Sequence, residues 1–191
     1  MITTKRSWHS AAATALPLLF SLPLAADGHD HGAEKHEARL SGYQEVPTQS
    51  SGGTATFKAR IADDEQSFDW VLTYSGFTAA NPVTQSHIHF GARAISGGIV
   101  VFLCTNLGNA PAAPPAHPTA ACPTGEGTVS GTATAADVTG GAAAQGILAG
   151  EFAKVLEAIR AGAAYANIHT VPRPPGEIRG QIHPHDHDHD D

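Results

Sequence analysis

The chain has 191 residues, which suits one domain with tails. It carries 11 Lys/Arg against 18 Asp/Glu, for a formal charge of −7 with neutral histidines. That balance argues against nucleic acid or an anionic membrane surface as the partner.

Residues 1–26 read as a secretory signal peptide. Lys5 and Arg6 form a basic start, and the apolar stretch from Ala11 to Leu24 is too short for an ordinary membrane span. Leu24, Ala25 and Ala26 offer small residues at a cleavage site; the alternative is a retained N-terminal anchor. Cleavage there removes two of the 11 basic residues and none of the 18 acidic ones, leaving a formal charge of −9. The expected location is periplasmic or secreted.

Residues 27–37 form an acidic, His-rich N-terminal tail with His29, His31 and His36. If Asp27 is the new N-terminus, its amine, two amide nitrogens and the His29 imidazole can make a square-planar chelate suited to Cu(II) or Ni(II). Residues 38–182 carry nearly all the apolar periodicity. Strands are expected at Ala38–Val46, Thr54–Ile61, Ser67–Tyr74, Thr84–Phe90, Ile99–Leu103, Gly127–Thr134, Ala164–Thr170 and Glu177–Ile182. In the third, Phe68, Trp70, Leu72 and Tyr74 alternate with Asp69, Val71 and Thr73, which gives one aromatic face for a core. Between Glu151 and Arg160, Phe152, Val155, Leu156 and Ile159 fall at helical spacing, and Gly162 can end that helix in a left-handed cap. The pattern predicts an all-β protein, a Greek-key β-sandwich of about eight strands with one inserted short helix. Residues 183–191 form a C-terminal tail in which His183, His185, His187 and His189 alternate with Asp and Pro. Neither tail has apolar residues to bury, so both are expected to be disordered.

Cys104 and Cys122 are an even pair in a chain read as exported, which favours one disulfide closing the loop from Thr105 to Ala121. The alternative is a pair of metal thiolates, but the spacing matches no zinc pattern.

His87, Ile88 and His89 give the sharpest chemical signal. Residues i and i+2 of a strand share a face, roughly 6.5–7 Å apart along the chain. Two imidazoles so placed can converge on one ion while Ile88 points into the core. His169, in the strand Ala164–Thr170, would supply a third imidazole, and such a set suits copper or zinc. The competing reading is three separate structural histidines. His117, in the loop bounded by the cysteines, is either a fourth ligand or an exposed loop residue. Asn167 and Thr170 flank His169 and could orient an imidazole, or simply pack. Glu177 and Arg179 share a strand face, where they either join cross-strand ion pairs or leave Arg179 to guide an anion toward the metal. The tail histidines interleave with carboxylates and would bind Cu(II), Zn(II) or Ni(II).

The segments Leu40–Pro47, His87–Gly91, Val101–Cys104, Ala161–Thr170 and Gly176–Ile182 resemble the chordin-type CHRD domain in order and spacing. The resemblance covers nearly the whole mature domain and implies a fold more firmly than a function. A weaker likeness links His87, His89, Gly91 and His169 to copper/zinc superoxide dismutase, which uses an H-x-H-x-x-G strand and a late-strand His for copper. Gly91 comes one residue early here, and no counterpart of the histidine bridging copper to zinc is found. The expected cofactor is therefore copper, with zinc as the alternative. The expected function is exported copper binding, for buffering, storage or delivery, with a periplasmic copper donor or acceptor as a partner. A dismutase-like redox enzyme and an adhesive or interaction module are the alternatives. No nucleophile triad, phosphate loop or paired-carboxylate motif favours an enzyme.

Overall fold

A computed structural model describes Met1 and residues 33–111 and 118–185. The expected signal peptide beyond Met1, and His29, His31, His117, His187 and His189, lie outside the described residues. No helix among the described residues is long and apolar enough to cross a membrane.

Among the described residues, nine strands form one antiparallel sheet: β1 (Lys35–Ser41), β2 (Thr54–Ile61), β3 (Ser67–Ser75), β4 (Val83–Phe90), β5 (Gly98–Thr105), β6 (Gly127–Thr134), β7 (Ala164–Thr170), β8 (Arg173–Gln181) and β9 (His183–Pro184). Their spatial order is β5-β4-β7-β8-β1-β2-β3-β6, with β9 paired to β1. Among β1–β8, three consecutive pairs are not neighbours on this path, β3/β4, β5/β6 and β6/β7, so the chain crosses over at each, in keeping with a Greek-key arrangement. The sheet wraps into a nearly closed barrel or flattened sandwich, and the two ends of its path, β5 and β6, approach each other.

The period-two pattern fixes which face is inside. In β3, Phe68, Trp70, Leu72 and Tyr74 are buried and join the core, while Asp69, Val71 and Thr73 face out. In β2, Ala55, Phe57, Ala59 and Ile61 do the same. The helix α1 (Phe152–Arg160) presents Phe152, Val155, Leu156, Ala158 and Ile159 to this core, with Phe152 stacked on Phe68 at 5.7 Å between centroids. Gly162 ends it at φ +63°, and the Ala163 amide reaches back to the Ala158 carbonyl at 2.8 Å, a left-handed C-cap.

Two ends of the domain differ from expectation. The first strand starts at Lys35 rather than Ala38 and stops at Ser41, where Gly42–Gln44 form a 3₁₀ turn. His36, Ala38 and Leu40 alternate inward, so His36 belongs to the folded domain and not to a disordered tail. At the other end, β9 pairs His183 with Glu37 and Pro184 with His36, and His185 Nδ1 lies 2.9 Å from Glu37 Oε2. Main-chain pairing orders these residues although they have no apolar side chains to bury.

Cys104 in β5 and Cys122 form a disulfide. Asn106 clamps the same region: its Nδ2 donates to the Val83 and Cys122 carbonyls, and its Oδ1 accepts from the Cys122 amide at 3.0 Å.

Candidate metal centre

On β4 and β7 the core takes Ile88, Ala164, Ala166 and Ile168. The intervening residues His87, His89, Tyr165, Asn167 and His169 therefore share the opposite face. On β8, Ile178 is in the core and Glu177 and Arg179 alternate with it. Such a polar outer face would normally meet solvent. Here it is covered: β7 is buried at every position. Ladder register sets the layout, with His87 opposite Asn167, His89 opposite Tyr165, and Asn167 opposite Arg179.

The three histidines converge as their spacing predicts. His87, His89 and His169 are 0%, 7% and 6% exposed, and each offers a ligand nitrogen within 4.8 Å of the others. His87 Nδ1 is 3.1 Å from His169 Nε2. Phe102 stands edge-on to the His87 ring at 4.4 Å, and Tyr165 stacks on His89 at 4.9 Å, nearly parallel.

Main-chain carbonyls set two tautomers. His89 Nδ1 is 2.9 Å from the Gly97 carbonyl and His169 Nδ1 is 2.8 Å from the Pro174 carbonyl. A carbonyl can only accept, so both Nδ1 atoms carry the proton and both Nε2 atoms present lone pairs to the cluster. This outer-carbonyl arrangement is the one that orients metal-ligating histidines. His87 Nε2 is buried with no hydrogen-bond partner among the described residues. The cluster thus holds more lone pairs than protons, which is the donor set a cation satisfies. A three-imidazole set of this kind fits copper or zinc.

Burial makes protonation of these rings costly. Desolvation pushes His87 down to about 2, aided by the neighbouring His169 and His89. Desolvation also lowers His89 to about 4, and the same cause lowers His169. The cluster is therefore neutral at neutral pH and free to bind metal.

Two ionised networks surround it. Arg179 Nε is 2.8 Å from Glu45 Oε2, its Nη1 donates to the Ile95 carbonyl, and its guanidinium lies 4.3 Å from the Tyr165 ring centroid. Glu177 accepts from Ser51 Oγ at 2.7 Å, from Asn81 Nδ2 at 3.0 Å and from Thr170 Oγ1. Glu177 and Arg179 thus share a face without pairing with each other. Arg179 is enclosed and committed to Glu45 rather than facing solvent as an anion guide. Thr170 serves Glu177, not an imidazole. Glu45, the missed partner, lies 134 residues from Arg179, and no local signal in the sequence links them.

The other histidines among the described residues are dispersed. His36 is buried in β1, where its Nε2 is 2.8 Å from Glu34 Oε1. His183 and His185 lie along β9 and its end.

The profile of the CHRD domain matches residues 36–182. The chain belongs to the CHRD-domain family. No curated protein and no solved structure matches it. Within this CHRD domain the match begins at His36, in agreement with the strand that starts at Lys35. The likeness to copper/zinc superoxide dismutase rests on the pattern of His87, His89, Gly91 and His169.

Proposed function

We propose that this CHRD-domain protein is an exported copper-binding protein that buffers, stores or delivers the metal through His87, His89 and His169. The observation that carries this reading is the convergence of three neutral imidazoles, two of them with tautomers set by the Gly97 and Pro174 carbonyls. Export is supported by the signal-like N-terminus and by the Cys104–Cys122 disulfide, which persists in oxidising compartments. The His-rich ends would collect the same metals at lower affinity. When bound, copper would supply a redox-active, Lewis-acidic ion. The chain's own part is to orient the imidazoles and exclude water. That enclosure favours holding an ion over turning over a substrate, so a binding role is preferred to dismutase-like chemistry. The test is metal analysis of the mature protein isolated from its native compartment, with electron paramagnetic resonance on the same sample. One copper per chain, lost in the His87→Ala, His89→Ala, His169→Ala variant, is expected. Stoichiometric zinc with no copper would overturn the copper assignment, and brisk superoxide removal would favour the redox enzyme.

A further inference from the structure

We propose that the fourth ligand of the three-histidine centre is the side-chain oxygen of Asn167; this inference rests on the metal-binding reading of that site. Asn167 and His169 are i and i+2 on β7, so they share the face that His87 and His89 meet from β4. Asn167 is 1% exposed, and its Oδ1 lies 3.1 Å from His89 Nε2 and 3.1 Å from His169 Nε2. Both of those nitrogens carry lone pairs, because their Nδ1 protons go to the Gly97 and Pro174 carbonyls. An amide oxygen has no proton to give. Three acceptors so placed repel one another unless a cation sits among them.

The spacing fits that cation. Bonds of about 2.0 Å put neighbouring ligand atoms of a tetrahedral site about 3.3 Å apart. The separations of His87 Nδ1 from His169 Nε2, and of Asn167 Oδ1 from the two Nε2 atoms, are all 3.1 Å. The nearby carboxylates are engaged elsewhere, Glu45 by Arg179 and Glu177 by Ser51, Asn81 and Thr170. The resulting donor set is three imidazoles and one amide oxygen, with no net charge. The rival arrangement turns the amide over, so that its NH₂ donates to both rings and Asn167 is a purely structural bridge.

Substitution separates the two. An ionised aspartate keeps the oxygen and cannot donate to a ring nitrogen, whereas alanine removes both. Zn(II) and Cu(II) affinities of the full mature chain would be measured by competition with a chelator strong enough to empty the tails. Unfolding of each metal-free variant would be measured in parallel. The expected result is that Asn167→Ala weakens binding by about tenfold or more, while Asn167→Asp binds as tightly as the parent or tighter. On zinc binding, the ¹⁵N resonance of the Asn167 side-chain amide should also shift in the parent chain. Equal loss in the aspartate and alanine variants, or unchanged affinity in the alanine variant, would overturn the ligand assignment. If instead the His87→Ala, His89→Ala, His169→Ala chain keeps the tight site, the three-histidine reading itself fails and Asn167 falls with it.

Discussion

Arg179 and Glu45 form an ion pair in which both residues are nearly enclosed, at 5% and 4% exposed. The pair ties β8 to the segment that follows β1, and the same guanidinium lies against Tyr165, the ring that stacks on His89. Removing one member leaves the other as an uncompensated buried charge. Arg179→Met and Glu45→Gln should each cost about 3–5 kcal/mol. The double change should cost less than the two losses added. Urea denaturation of the three variants checks this, and simple additivity would show that the pair is not coupled.

Acid should destabilise the metal-free protein before it touches any carboxylate. A histidine whose value is depressed in the fold takes up its proton more readily in the unfolded chain, so stability falls as pH drops. The loss starts near the ordinary value of 6.5 and continues down to about 4 for His89 and about 2 for His87. At pH 5 it should be about 2 kcal/mol for each of these two rings relative to pH 8. Saturating zinc should remove most of this dependence at pH 6–7, because bound rings cannot protonate. Denaturant midpoints across the pH range, with and without metal, are the measurement. A flat profile for the metal-free chain would show that the rings are hydrated.

The division between core and ends can be tested by trimming. A chain of residues 33–185 keeps β1 and β9 and removes His29, His31, His187 and His189. It should retain one tight copper equivalent, since strand-held ligands are preorganised, and lose the weaker ones. The full mature chain with His87→Ala, His89→Ala and His169→Ala should do the reverse. Isothermal titration of both resolves the classes. A trimmed domain that binds no copper would make the fold a carrier for its His-rich ends.

Reduction of the Cys104–Cys122 bond should lower stability by roughly 3 kcal/mol, the entropy of freeing a loop of this length in the unfolded chain. The denatured, unreduced protein should show no titratable thiol, since both cysteines are bonded.

The strands β2, β6 and β7 were legible to the residue because turn-forming clusters bound each of them, and β2 also carries clean alternation. The edges were less so. Lys35–Arg39 alternates just as regularly, but its inward residue at the start is His36, which reads as polar until Glu34 and the β1 ladder enclose it. The 3₁₀ turns at Ala135–Asp137 and Gly140–Gln145 have no apolar period to betray them. In the site, His87 and His89 announced themselves by i, i+2 spacing, and His169 by its place in an apolar strand. Asn167 reads from the sequence only as an orienting or packing residue, because an asparagine in a strand has no distinctive pattern. Tyr165 and Glu45 reach the centre through register and a long-range ion pair, which are properties of the assembled sheet.

The acceptors that steer His89 and His169 are peptide oxygens, not side chains. A substitution at Pro174 that preserves the local path of the chain would leave its oxygen where it is, so that position can vary without disturbing the imidazole it aims. Gly97 has no such freedom, because a Cβ there would fall 1.7 Å from the Phe90 oxygen. The orientation of one imidazole is thus open to sequence drift and that of the other is bound to a single residue type. A search for similar centres would do better to require the H-x-H strand and a glycine at the equivalent loop position than to match the rest of the covering loops.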